Sequence, residues 1–324
     1  MGKVILFGEP MALLIADTTG NLEDVEHFTR AMSGAEVNVA IGLSRLGHKV
    51  EYLTRLGDDP FGHYIKKALE KNGIGTEFIT FDDVYRTGIQ LKSRVDDGSD
   101  PVAPYYRKGS AASHISTREI DAIDLTDVEL IHVTGIPPAL SVSAREATFR
   151  LIERAAERGI MLTFDPNLRP ALWESRETMI STIHRLAEKA GIILPGISEC
   201  RTLTGLETAA EASDFYQKMG VPTVIIKQGG RGAYVKDYKE KYTVPGFKVE
   251  KVVDTVGAGD GFAVGVIHGL LTGHSMRESV RMGNAIGAIQ VMNIGDNEGL
   301  PTEDELSAFI AAHDSVGKDK QNRV

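Results

Sequence analysis

The chain has 324 residues, 42% hydrophobic and 25% charged, which suits a soluble globular protein with one large α/β domain or two ordinary ones. Its net charge of −9 argues against a nucleic-acid partner, because no broad basic face is available to meet phosphates. A single cysteine, Cys200, excludes an intramolecular disulfide and fits a reducing, cytoplasmic setting, and the nine histidines show no metal-ligand spacing.

Val4–Phe7 is apolar but broken at Gly8-Glu9-Pro10, so it reads as a first buried strand and not as a membrane span. Met11–Ala16 is a second short strand, Asp17–Asn21 a turn, and Val25–Met32 a strand that can pair back. Val37–Leu46 carries apolar residues at helical spacing up to Gly47, Val50–Thr54 is strand-like, and a helix over Tyr64–Lys71 closes at Asn72-Gly73. Gly88–Val95 and Val102–Arg107 flank a polar turn at Asp96–Pro101, a hairpin with no crossover helix. Joined to 11–32, the segment 86–107 predicts a small antiparallel sheet standing off the body as a lid. Beyond Glu129 strands and helices alternate, which predicts a parallel sheet covered on both faces. Ala233–Lys236 and Lys241–Val244 form a hairpin, Phe247–Val253 reads as a further strand, and helices cover Phe262–Leu271 and Met276–Met292. Residues 1–313 are expected to form one domain and 314–324 a polar tail.

Asp254-Thr255-Val256-Gly257-Ala258-Gly259-Asp260-Gly261 leads into the first of those two helices. Gly257, Ala258 and Gly259 leave the backbone N–H groups bare, and the helix N-terminus adds unpaired donors and partial positive charge. Asp260, in the first turn, is expected to be ionised by the same dipole. A carboxylate beside a phosphate-sized nest suits a general base for a hydroxyl that attacks phosphorus. Glycine-rich turns are common, however, and an Asp there is also an ordinary electrostatic cap. No G-x-x-x-x-G-K-[ST] sequence occurs, and Phe262 stands where a dinucleotide fingerprint needs its third Gly.

The seven positions Asp254–Asp260 resemble the C-terminal signature of the ribokinase-like (pfkB-type) carbohydrate kinases. Ser33-Gly34-Ala35-Glu36-Val37-Asn38-Val39-Ala40, followed by Leu43 and Leu46-Gly47, resembles the N-terminal one, and the likeness runs from Val4 to about Ile310. The resemblance implies a ribokinase-like three-layer α/β/α fold, with a mostly parallel central sheet and a small antiparallel β lid that often forms a dimer contact. It also implies ATP and Mg2+ as cofactors and leaves a monovalent cation open. Within the family, Tyr105-Tyr106-Arg107 and Asp165-Pro166-Asn167-Leu168-Arg169-Pro170, with Leu172-Trp173 and Gly34-Ala35-Glu36, resemble the branch acting on 2-keto-3-deoxygluconate.

By that resemblance Asp260 is the base and Gly257, Ala258 and Gly259 hold the transferring phosphate. Lys227, Gly229, Gly230 and Gly232 border the nucleotide, Asn284 lies near its base, and Asn167 reaches the phosphates. Arg107 and Arg169 take the sugar's acid end, helped by Tyr105, while Gly34 and Asp296 bound the sugar. Planar carboxylates suit guanidinium forks, which agrees with the acidic substrate. Glu199, through water, and Asp254 are the metal candidates. Gly196-Ile197-Ser198-Glu199 departs from the family's usual Asn-x-x-Glu, and Gln90 stands where an aromatic is usual. The expected activity is phosphorylation of a sugar acid at its C6 hydroxyl. A neutral-sugar kinase (fructokinase or ribokinase) and a non-catalytic sugar-binding regulator are the alternatives, and the expected partner is a second copy through the lid.

Overall fold

The computed structural model describes residues 2–96, 101–293 and 295–321. Most of the turn expected at 96–101 and the last three residues of the expected tail therefore lie outside the described residues.

β1 (Lys3–Phe7) runs between β4 (Lys49–Gly57) and β8 (Val128–Thr134), parallel to both. Its residues alternate between two cores. Val4 and Leu6 join one cluster, and Ile5 and Phe7 join the other. Leu130 and Ile131 on β8 split in the same way. The period of two along a strand thus explains why both faces need helices.

The order β13-β12-β11-β10-β9-β8-β1-β4-β5 makes one nine-stranded sheet. Here β5 is Ile79–Asp82, β9 Met161–Asp165, β10 Ile192–Ile193 and β11 Thr223–Lys227, while β12 (Ala233–Lys236) and β13 (Lys241–Val244) form an antiparallel edge hairpin. Two short pieces, α3 (Thr117–Ala122) and α4 (Pro137–Leu140), follow α1 (Ala35–Arg45) and α2 (Pro60–Lys71) in the chain. α5 (Val142–Glu157), α6 (Arg176–Ala187), α7 (Ile197–Thr204) and α8 (Ala209–Lys218) share the core of Ile5 and Phe7. α1, α2, α9 (Ala258–Leu271), α10 (Met276–Gln290) and α11 (Glu303–Gln321) cover the opposite face.

The lid is a separate four-stranded sheet in the order β3-β2-β6-β7. β2 (Met11–Thr19) pairs antiparallel with β3 (Phe28–Ser33), and β6 (Ile89–Arg94) antiparallel with β7 (Tyr105–Tyr106), while the central pair β2–β6 runs parallel. β7 is shorter than the expected return over 102–107. Pro101 and Pro104 have no N–H, so only isolated bonds, Ser93 N to Val102 O and Leu91 N to Pro104 O, extend the pairing.

Two expectations need correction. Phe247–Val253 forms no strand. Pro245 and Gly246 end β13, and the Val253 N–H then bonds Val291 O at the end of α10, turning the apolar side chains towards a cavity. The segment from 314 begins within α11, which continues to Gln321.

The glycines of the last helices are explained by packing. A Cβ on Gly265 would lie 2.4 Å from Gly283 N, and one on Gly269 2.6 Å from Ser279 Cα, so α9 and α10 touch backbone to backbone.

Candidate active site

The strand order reverses at β1, and loops at the carboxyl ends of β1, β8 and β9 open a crevice there, the usual ligand position in such sheets. The N-terminus of α9 points into it. Gly257 caps α9 at φ 75°, and a Cβ there would lie 2.3 Å from Asp296 O. No side chain caps the first turn of α9, and although the Ala258 N–H lies 3.4 Å from the Thr255 carbonyl, the turn still presents N–H donors suited to an anion.

Asp260 sits in that turn, held by two amides. Asn38 Nδ2 donates to its Oδ2 at 2.8 Å and Asn167 Nδ2 to its Oδ1 at 3.3 Å. Burial is the largest influence on its acidity and raises its pKa to about 7. The Asn38 bond and Lys227 pull it down, and Asp165 and Glu36 push it up. The expectation of an ionised Asp260 is thereby corrected to one only partly ionised near neutral pH, because burial works against the charge that the helix dipole favours. A base poised near neutrality is the better proton acceptor.

One cavity, about 180 Å³, lies between Asp260 and the lid. Gly34, Tyr105, Arg107, Arg169, Asp296 and Asp260, the residues expected around the substrate, together line it. Gly34 adopts φ 146°, where a Cβ would press on Glu9 O at 3.1 Å. Arg107 is not a free cation. Its Nε donates to buried Glu9 at 2.6 Å, and Ser110 Oγ donates to the same carboxylate. Arg169 is exposed, forms no ion pair among the described residues, and bonds the Leu168 carbonyl at 3.0 Å. Asp296 accepts from Lys92 at 3.1 Å. Tyr105 borders the cavity while remaining half exposed.

A second cavity of about 330 Å³ opens on the other side of the α9 mouth. Lys227, Gly229, Gly230, Gly232, Ala258 and Gly259 line it, and Asn284 borders it from α10. Phe247, Val249, Val252 and Val291 supply an apolar wall suited to a flat base. A Cβ on Gly229, at φ 60°, or on Gly230 would meet no atom within 4 Å, so their bare backbone leaves room for a ligand. The Asn284 amide donates to the Val244 and Pro245 carbonyls, both at 3.1 Å, and so fixes the end of β13. Lys227 Nζ binds Asp165 at 2.5 Å. Burial would lower the pKa of Lys227, but Asp165 and Glu199 reverse this and hold its ammonium above the usual range.

Glu199 accepts the Leu168 and Gly196 N–H groups, and burial followed by Asp165 raises its pKa. The described residues contain no cluster of three or more candidate metal ligands. Glu199 lines neither cavity, and both of its oxygens are taken by backbone N–H groups, so a magnesium ion at this mouth fits only as one held by nucleotide phosphates and water. Asp254 lies apart from Glu199 in its bonding: its Oδ1 accepts the Val256 N–H at 3.0 Å.

Sequence reasoning misses three groups at the site. Asn38 falls within the N-terminal motif, where nothing assigns it a role, yet it is one turn beyond Gly34 and faces Asp260. Asp165 is buried between Lys227 and the Asn167 backbone. Glu36 is fully buried, accepts from Thr134 Oγ1, and is pushed up in pKa by burial against the pull of that bond and of Arg107 and Arg169. Polar residues inside apolar helical or strand runs, Asn38 in Val37–Val39 and Asp165 after Phe164, are the signal that could have found them.

A helix mouth with a near-neutral carboxylate between two cavities, one glycine-rich and one polar, defines a phosphotransferase with separate donor and acceptor sites. Residues 1–303 match the pfkB family of carbohydrate kinases. The chain is 44% identical over 317 residues to the 2-dehydro-3-deoxygluconokinase of Bacillus subtilis, covering 98% of each chain. It is 32% identical to maize fructokinase-1, covering 95% of this chain and 97% of that one. Among solved structures, the PfkB protein of Polaromonas sp. JS666 superposes with TM-score 0.86 at 42% identity, covering 95% of this chain and 99% of that one. A provisionally named E. coli ribokinase II in complex with ATP and Mg2+ gives TM-score 0.86 at 25% identity, covering 97% and 100%. The chain belongs to the pfkB family of carbohydrate kinases: it is a sugar kinase, and so a phosphotransferase.

Proposed function

We propose that this sugar kinase phosphorylates 2-keto-3-deoxy-D-gluconate at its C6 hydroxyl, with ATP as donor and Asp260 as general base. The observation that carries the choice of an acid is Arg169, a guanidinium at the sugar cavity without an ion-pair partner among the described residues. A planar carboxylate would accept a fork of hydrogen bonds from it. The similarity to the Bacillus subtilis 2-dehydro-3-deoxygluconokinase supports the same substrate. Arg107, already engaged by Glu9, serves as a rigid wall whose remaining N–H groups face the ligand.

In the reaction, O6 attacks the γ-phosphorus while Asp260 takes the O6 proton. The bond from that phosphorus to the bridging oxygen breaks, ADP leaves with the electron pair, and Asp260 later returns its proton to solvent. Bare N–H groups at the α9 mouth, from the Gly257-Ala258-Gly259 turn, stabilise charge on the transferring group. Lys227 borders the nucleotide phosphates from the opposite side, and Asn167 keeps Asp260 aimed. Magnesium, when bound with ATP, neutralises phosphate charge. No helix among the described residues is long and apolar enough to cross a membrane. The lid, with Tyr105 and Tyr106 exposed on its edge strand, is the surface through which two copies pair.

A coupled assay of ADP formation tests the substrate. 2-Keto-3-deoxygluconate should give a kcat/KM at least ~100-fold above fructose and ribose, the margin expected where a charge-assisted contact made by the acid is absent for a neutral sugar. Equal or better turnover of either neutral sugar would reject the acid.

A further inference from the structure

Lys92 is the lid's ionic contact with the body across the sugar cavity. It lies on β6, two residues after Gln90, and its side chain is only 14% exposed. Its Nζ stands 3.1 Å from Asp296 Oδ1 and 4.0 Å from Asp254 Oδ2. Neither acid belongs to the lid. Asp254 precedes the Gly257-Ala258-Gly259 turn, and Asp296 lies in the loop after α10.

Those two loops together build the mouth of α9. Asp254 Oδ1 accepts the Val256 N–H at 3.0 Å, which sets the turn leading to Gly257, and its Oδ2 lies 3.5 Å from Gly295 N. The Asp296 carbonyl packs on Gly257 so closely that a Cβ would come within 2.3 Å. Gln290 Nε2 donates to the Gly295 carbonyl at 2.8 Å and anchors the second loop to α10. Two carboxylates thus flank the place where phosphoryl charge must arrive. Uncompensated, they would repel each other and the transferring group. The Lys92 ammonium is the cation between them.

We propose that Lys92 is a positioning residue: carried by the lid, it draws the Asp254 and Asp296 loops together and so sets the N–H groups of the Gly257-Ala258-Gly259 turn for phosphoryl transfer. The contact exists only when β6 lies over the cavity, so the anion site is complete only beneath a seated lid. Asp296, which also lines the sugar cavity, acts in this role through Lys92. The role holds for whichever sugar the kinase takes.

Steady-state kinetics of the full-length chain with Lys92→Met, Lys92→Arg, Asp296→Asn and the Lys92→Met/Asp296→Asn double variant test this. Lys92→Met should lower kcat about 5- to 100-fold, the range of a typical intramolecular coupling, with the KM values for sugar and ATP within about twofold. Lys92→Arg should keep most of kcat. The double variant should be no slower than Lys92→Met alone, because both changes break one contact. A raised sugar KM with unchanged kcat, or losses that multiply in the double variant, would overturn the proposal. Should Lys92→Met fail to fold, Asp296→Asn carries the same readout, and an unchanged kcat in it would equally overturn the proposal.

Discussion

Asn38 Nδ2 donates to Asp260 Oδ2 at 2.8 Å across 222 residues of sequence, from the second turn of α1 to the first turn of α9. Asn297 Nδ2 in turn donates to Asn38 Oδ1 at 3.3 Å, which fixes the amide so that its NH2 faces the carboxylate. Asp260 is therefore oriented from the opposite end of the chain, and the same bond lowers a pKa that burial raises.

Removing that donor should make Asp260 a poorer base at neutral pH. The Asn38 bond lowers the pKa of a carboxyl that burial has raised to about 7. In Asn38→Ala the acidic limb of the kcat/KM profile should move up by about one pH unit, with activity recovering towards pH 9. A profile that falls in height without shifting would show that Asn38 does not tune the base.

Asp260 should also cost the fold stability. Its folded pKa, about 7, lies above the ordinary carboxyl value of 3.8. The folded state thus holds the extra proton between those values, and stability falls as pH rises from about 4 to about 7. Asp260→Asn should be more stable than the parent at pH 8 by on the order of 2 kcal/mol after allowance for solvent at the cleft, and so unfold at higher temperature, and the gap should close near pH 4. Thermal unfolding at the two pH values measures it, and equal gaps at both would contradict the shift.

In the proposed function Arg169 is the contact for the acid end of the sugar. Arg169→Ala should raise KM for 2-keto-3-deoxygluconate about 30-fold or more and change KM for a neutral sugar by less than about threefold. Kinetics with both sugars check this, and equal effects on the two would remove Arg169 from acid recognition.

The glycines separate packing from binding. Gly265→Ala places a Cβ 2.4 Å from Gly283 N, so α9 and α10 must part, at about 1–3 kcal/mol in denaturant unfolding. Gly230→Ala meets nothing within 4 Å in the protein but borders the nucleotide cavity. It should leave stability unchanged and raise KM for ATP.

Much of the architecture is legible in the sequence because it rests on local rules. Short apolar runs mark β1 and β8, and helical spacing ending at Gly47 marks α1. The Gly-rich turn before α9 announces an anion site through its own backbone demands. Phe247–Val253 misleads because apolar residues that line a cavity and those that line a sheet read alike in sequence. The ionisation of Asp260 is hidden because a helix dipole is local, whereas burial is the sum of what the whole fold packs around the carboxyl. Likewise Arg107 looks available in sequence, since nothing adjacent to it reveals that Glu9, 98 residues earlier, holds it. Contacts of that range are written in tertiary structure alone.

The central claim is that a near-neutral carboxylate at the mouth of α9 takes the sugar's proton. Turnover of Asp260→Asn with saturating ATP, Mg2+ and 2-keto-3-deoxygluconate tests it most directly. A loss of kcat of at least ~100-fold with ATP affinity retained is the predicted result. A kcat within a few-fold of the parent's would contradict it.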